Sequence, residues 1–412
     1  MKTDLDRLMQ KNNIEAILVT GPAQHNPAMV YLTGGGHMTS ADLIKPRNAD
    51  PVLYYNPMER EEAAASGLKT KNLVDYDWKD LMKQAGGDSN KAKALRYKLM
   101  LTEQGITAGR VSVYGLGEVG ESYGVFSTLQ VVAPELEIVG EDSRASMLLT
   151  AMATKDGDEI ERIREMGKVT TAVVGQVADF LSAHKSKDEV LVKSDGQPLT
   201  IGDVKSKINL WLAEKGVENP HGTIFAIGRD AGIPHSTGTP SDVMALGKTI
   251  VFDIFPCEAG GGYHYDFTRT WCLDYAPDNV LALYEDVNAV YQKMMAELRV
   301  NAPFKDFQSR ACELYEAQGH PTIKDDPSVQ EGYVHSLGHG LGLHVHEAPW
   351  SGSSAGENDI LAPGAVVTIE PGLYYPSKDM GCRLEDTVVV MPDGSFEILA
   401  EYPLDLVLPI KR

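Results

Sequence analysis

A chain of 412 residues with a hydrophobic fraction of 43% is long enough for two domains and a substantial buried interior. Its formal net charge of -20, with no Lys/Arg-rich run to offset it, argues against a nucleic-acid partner, and no apolar stretch is long enough to cross a bilayer. Four cysteines without a CxxC pair indicate neither a disulfide framework nor a thiolate zinc site, and the acidic, polar start MKTDLDRLMQ is unlike a secretory signal, so the expectation is a cytoplasmic protein with reduced, mostly buried thiols.

The first part of the chain alternates short elements. A helix is expected around Leu5 to Met9, apolar strands at Ile14 to Val19 and Val52 to Tyr55, a helix through Lys91 to Thr102 and a strand at Arg110 to Tyr114. This alternation describes an α/β domain over residues 1–153. The Gly-rich segment Gly115 to Gly124 completes neither GxGxxG nor GxxxxGK[ST], so no nucleotide role follows from it.

A polar break at Lys155 to Asp158 precedes a new helical pattern and places a domain boundary there, with a second domain over residues 154–412. Three apolar stripes at helical spacing read as core packing: Ile160 through Val177, Ile201 through Leu212, and Leu283 through Leu298. Beyond them strands dominate. Thr249 to Phe255 and Tyr263 to Trp271 flank Gly260, Gly261 and Gly262, which suits a hairpin, and Val366 to Ile369 and Thr387 to Met391 are bounded by Pro-Gly and Pro-Asp-Gly turns. Helices between strand segments make this second part α+β.

Four pieces of the second domain carry chemistry. Asp253 and Asp266 lie on the neighbouring hairpin strands amid apolar and aromatic residues, where lone carboxylates are costly to bury unless they share a cation. YVHSLGHGLGLHVHEAPW holds His335, His339, His344 and His346, four of the eleven histidines in the chain. The spacing is not HExxH, and Gly338, Gly340 and Gly342 favour an extended segment that lets backbone approach closely. Glu370 and Glu385 sit at the borders of apolar strands, where a salt bridge to a residue such as Arg383 is the ordinary explanation. Taken together, four carboxylates and an imidazole form a hard, oxygen-rich set suited to two divalent ions.

The strings YDFTRT, SLGHGLGLHVHEAP, IEPGLYYP and RLEDTVVV resemble those of the pita-bread metallopeptidases, which include methionine aminopeptidase, aminopeptidase P, prolidase and creatinase-like members. The resemblance covers residue 155 to the end and reads closest to the prolidase and aminopeptidase P branch, whose members carry a smaller α/β creatinase-like domain in front of the α+β pita-bread domain. It implies metal ligands Asp253, Asp266, His339, Glu370 and Glu385 for two ions, Mn2+ first, with Co2+, Zn2+ or Fe2+ as alternatives. It further implies Glu370 as the group taking a proton from water, and His235 (in GIPHSTGTP) and His346 as catalytic groups. His235 and His346 would contact substrate; His335 and Arg383, close in sequence to ligands, are expected either to contact substrate as well or to support the ligands. The interval from Asp253 to Asp266 is two residues longer than this family usually shows, an even number that preserves the facing of strand side chains.

The implied activity is hydrolysis of Xaa-Pro bonds in dipeptides or at the N-terminus of short peptides, by a homodimer whose first domain contributes dimer contacts and shapes substrate access. The alternative is a metal-dependent non-peptidase hydrolase or lyase acting on a small amidino or osmolyte-like compound. A purely binding member of the fold is disfavoured by the complete donor set.

Overall fold

The apolar run at residues 14–19 becomes the strand Ile14–Gly21 of a six-stranded mixed sheet. The computed structural model describes residues 4–142, 146–353 and 355–411. They form two units: residues up to Met152 together with Gly260–Gly262, and Ala153–Ala259 together with Tyr263–Arg412.

In the first unit the strand order is Lys69–Asn72, Val52–Tyr55, Ala41–Pro46, Ile14–Gly21, Gly109–Gly115 and Leu136–Val139. Ala16, Leu18, Ile44, Val52, Tyr54 and Val111 share one face and pack on helices Trp78–Gln84, Ser89–Glu103 and Val119–Val132. The strand Ala41–Pro46 is buried at every position although it contains Asp42 and Lys45. Each charge has a partner: Lys45 Nζ lies 2.5 Å from Asp6 Oδ1, and Asp42 Oδ1 accepts from the Thr20 hydroxyl at 2.7 Å and the Tyr97 hydroxyl at 2.8 Å. The Gly-rich segment after residue 115 contains the start of a helix, Val119–Val132.

The second unit opens with the helix Gly157–Ser182. Asp156 and Glu159 form a reciprocal capping box at its start, which is the physical meaning of the polar break. Ile163, Met166, Val173 and Val177 are buried on its inner face, while Ile160 and Val169 are only partly covered. Helix Ile201–Glu214 buries all four residues of its stripe, and helices Asp278–Glu297 and Phe304–Ala317 pack with the later strands in a single large core. Each fully buried aliphatic side chain there contributes on the order of 1.5–3 kcal/mol.

Two sheets frame the centre of this unit. One runs Thr223–Ile227, Ile250–Ile254, Phe267–Leu273, Val407–Leu408; the other runs Glu347–Trp350, His339–Gly340, Val366–Ile369, Asp386–Val390, Phe396–Ile398. An isolated antiparallel bridge between Thr268 and Glu385 joins them. The expected hairpin exists, and its arms close on a turn at residues 259–262 that contains the three glycines. Its regular ladder runs to the pair Ile254 and Phe267, the same register resumes at an antiparallel bridge between Cys257 and His264, and Cys257–Glu258 pairs in addition with Val217–Glu218. Residues 263–266 of the expected strand fall outside the regular ladder, the His264 amide turning to Gly342 O, yet they stay against the opposite arm through the Tyr265 amide to Pro256 O and the Glu258 amide to Tyr263 O. All four cysteines are buried thiols. Among the described residues no helix is long and apolar enough to cross a membrane.

Candidate metal centre

Strand alternation brings the acids together. Asp253 is directly opposite Thr268 in the ladder, so its side chain shares a face with Thr268 and with Asp266 two residues before it. Glu385 is carried to the same place by its bridge to Thr268, its amide donating to Thr268 O at 3.1 Å. From the other sheet come His339, on a two-residue strand, and Glu370, which directly follows the strand Val366–Ile369. The three glycines around His339 are required by close approach: a Cβ on Gly338 would lie 2.0 Å from Thr368 O, and one on Gly340 2.1 Å from Ala348 O. On Gly342 it would meet the Glu347 carboxylate at 2.5 Å. The segment is extended and tightly sheathed, as the glycines indicated.

Ligand-capable atoms of Asp266, His339 and Glu385, all buried, lie within 4.8 Å of one another. His339 Nε2 is 3.7 Å from Asp266 Oδ2 and 3.3 Å from Glu370 Oε1, and Asp253 approaches from the neighbouring strand. Several of these carboxylates are held by one oxygen. Asp253 Oδ2 accepts from Arg383 Nη2 at 2.5 Å, Glu385 Oε2 from the Thr268 hydroxyl at 2.6 Å, and Glu370 Oε1 from the Thr368 hydroxyl at 3.2 Å. By contrast, Asp253 Oδ1, Asp266 Oδ1 and Glu385 Oε1 are buried with no hydrogen-bond partner among the described residues. Three orphaned carboxylate oxygens in one buried place are an energetic liability without a cation and a fitting donor set with one. Burial, followed by the other carboxylates, pushes the carboxyls of Asp266 and Glu385 well above their usual range. Glu370 behaves oppositely: burial raises it, but His335, His339 and Arg383 outweigh that and bring it down to about 2.

The remaining predicted residues gather around this cluster. The His339 and His346 rings meet edge to face with centroids 4.3 Å apart. His335 Nδ1 is 3.4 Å from Glu370 Oε2, while its Nε2 meets His235 Nε2 at 3.1 Å. His235 and His346 keep exposed faces. Arg383 is 1% exposed and pairs with Asp253; its other donors go to the Tyr374 hydroxyl, Pro234 O and Thr268 Oγ1, so the salt bridge expected at Glu385 is made elsewhere. His344 stands apart, its amide donating to Glu347.

Sequence reasoning does not single out Thr268, Thr368 and Tyr374. The first two are accessible through period-two alternation, each lying two residues from an acid of the site; the partnership of Tyr374 with Arg383 has no comparable signal. Nor is the buried pair Lys155 Nζ to Glu347 Oε1, 2.5 Å apart and at most 2% exposed, apparent from residues 192 positions apart. It fastens the chain after the boundary to the loop that carries His344 and His346. Lys155→Met is expected to destabilise the protein by about 3–5 kcal/mol in urea unfolding, and the double variant Lys155→Met/Glu347→Leu by much less. Equal losses in the two would show that the ion pair does not hold this loop.

A buried carboxylate and imidazole set able to hold a divalent cation, on strands contributed by two sheets, is what the fold presents. A model of metallopeptidase family M24 matches residues 161–392, and one of the creatinase/prolidase N-terminal domain matches residues 3–101. The Xaa-Pro dipeptidase of Pyrococcus horikoshii is 32% identical over 396 residues, covering 94% of this chain and 93% of that one. The probable dipeptidase PepE of Mycobacterium tuberculosis is 28% identical over 244 residues, a match spanning 59% of this chain and only 58% of the relative. Solved structures with the same fold include a dipeptidase from Pyrococcus horikoshii, with a TM-score of 0.74 at 21% identity, and an X-Pro aminopeptidase from Thermotoga maritima, with 0.72 at 20%; each covers 98% of both chains. The chain belongs to metallopeptidase family M24, with a creatinase-like domain preceding the pita-bread domain.

Proposed function

We propose that the protein is a dinuclear metallopeptidase that hydrolyses the Xaa-Pro bond of dipeptides or of short peptides at their N-terminus. The observation that carries the metal part is the set of three buried, unpartnered carboxylate oxygens on Asp253, Asp266 and Glu385 beside His339 and Glu370. The proline part is supported by the 32% identity to a named Xaa-Pro dipeptidase over nearly the whole chain. Asp253, Asp266, His339, Glu370 and Glu385 would hold two divalent ions, Mn2+ first given the excess of carboxylate oxygen. When bound, such ions supply Lewis-acid polarisation of a carbonyl and activation of water.

The chain's own groups account for the proton movements. Glu370, held ionised, is the base that accepts a proton from the attacking water, and His335 and Thr368 orient its two oxygens. Burial and the neighbouring His339 push His346 down, so its imidazole is neutral at physiological pH and offers an N–H to the oxygen that gains charge on the substrate carbonyl. His235, exposed and in contact with His335, faces outward to the leaving nitrogen and conducts a proton to it. Arg383 acts through Asp253, Thr268 and Tyr374 and is assigned to shaping the site rather than to touching substrate.

The test is an assay of purified protein of measured metal content against Xaa-Pro dipeptides, Xaa-Pro-Yaa tripeptides, Xaa-Ala controls and N-terminal Met peptides. Chelation should abolish turnover and Mn2+ restore it, with Xaa-Pro favoured over Xaa-Ala by roughly ten- to a hundredfold in kcat/KM. Undiminished turnover without metal would remove the metal reading; equal rates on Xaa-Ala would remove the proline reading alone. Sedimentation of the same sample checks the proposed homodimer.

A further inference from the structure

We propose that the first unit carries a second ligand site, for a free α-amino acid, in the cavity at the carboxyl ends of the strands Ile14–Gly21 and Gly109–Gly115. These two strands are parallel neighbours, and the chain leaves them in opposite directions. After Gly115 it enters helix Val119–Val132, which packs on the face shared by Ala16, Leu18 and Val111. After Gly21 it enters helix Pro27–Thr33, which packs on both strands but places none of its buried side chains in that cluster. Adjacent parallel strands whose connections diverge to opposite faces leave a crevice beyond their carboxyl ends, the position where open α/β sheets take ligands.

Here the crevice is a cavity of about 190 Å³. It is smaller than the sites that hold drug-sized molecules and suits a small metabolite. Its chemistry is that of a zwitterion binder. Lys93 and Glu121 stand together at the wall with Nζ and Oε1 2.6 Å apart, one cation and one anion able to take a carboxylate and an ammonium in exchange for each other. Thr20, Tyr97 and Ser122 are among the lining residues, and Val125 and Phe126 offer an apolar wall for a side chain.

A second observation supports the site. Thr20 and Tyr97 are not isolated, because both hydroxyls donate to Asp42, a buried carboxylate in mid-sheet that a sheet serving only as a scaffold has no need of. Arg96 Nη2 approaches the same carboxylate at 3.5 Å and balances its charge. The cavity floor is therefore a fixed polar network, and the fixed geometry of Thr20 and Tyr97 is what a small polar ligand would need.

The test uses the full-length protein and glycine, L-alanine, L-serine and L-proline as probes, followed by titration calorimetry and by amide chemical shifts. Saturable binding is expected for at least one of them below about 10 mM. It should weaken at least tenfold in Lys93→Met and in Glu121→Gln, and likewise when the probe is N-acetylated or converted to its amide. Because a peptidase centre also binds amino acids, the same titration is run on Glu385→Gln, where binding should persist. Absence of binding by all four probes overturns the proposal, and so does binding that is lost in Glu385→Gln but kept in Lys93→Met.

Discussion

Glu385→Gln is expected to abolish metal binding while making the metal-free protein more stable at neutral pH. Asp266 and Glu385 carry carboxyls raised well above their usual range by burial and by the neighbouring acids, so the folded state holds protons that the unfolded chain has released. Stability of the metal-free wild type therefore falls as pH rises from the ordinary carboxylate range, near 4, through neutrality. Removing one of the two acids relieves this by about 1–2 kcal/mol, since a tenfold change in a proton-binding equilibrium is worth about 1.4 kcal/mol. The amide oxygen of glutamine can still accept from Thr268, so the local geometry survives. Bound metal displaces the same protons, and calorimetric titration in buffers of different ionisation heat should show proton release on loading. Activity should fall about a thousandfold or more, the several kcal/mol that a Lewis acid supplies. Thermal unfolding of chelated samples at pH 5 and 8 decides it: a metal-free Glu385→Gln protein less stable than metal-free wild type at pH 8 would contradict the argument.

Arg383→Met should have the largest effect on folding. The guanidinium is 1% exposed, and its donors serve Asp253, Thr268, Tyr374 and Pro234 O. Without it, Asp253 is left with two uncompensated oxygens among other buried acids, and the expected loss is about 3–5 kcal/mol in the metal-free state. Added metal should return part of that by binding only the folded form. In Arg383→Met/Asp253→Asn the deficit should shrink to about half or less, which denaturant midpoints at constant slope would register. A single-variant loss within about 0.5 kcal/mol, the range of ordinary surface positions, would mean that the pair is not holding the site.

What the sequence reveals and conceals follows from the range of the interactions involved. The stripes at 201–212 and 283–298 need only helical periodicity, and both are buried as read. The strand Ala41–Pro46 escapes such a reading because Asp42 and Lys45 break its apolar run; both are buried by partners at Tyr97 and Asp6 that no local pattern announces. Helix Val119–Val132 is hidden by four glycines around its start and by exposed Val119, Tyr123 and Val131, which blur its stripe. At the site, carboxylates amid apolar strands and a cluster of histidines suggest a cation, and the resemblance of the local strings to a known family is what selects the five donors as candidates. The partner of Arg383 is not readable, because Asp253 lies 130 positions away and the nearer Glu385 is the natural guess.

The paired arms between Ile254 and Phe267 accommodate the extra chain length near Asp266 at the turn alone. The regular ladder already runs to the Ile254 and Phe267 pair, and Asp266 adjoins that pair. The facing of both aspartates is thus fixed by pairs on the ladder side, and residues added beyond Glu258 need not come in twos. The arms beyond the ladder are themselves pinned, by the Cys257 and His264 bridge and by the Glu258 amide donating to Tyr263 O, so a change of length is absorbed within residues 259–262 and an engineer could lengthen or shorten that turn without realigning either aspartate.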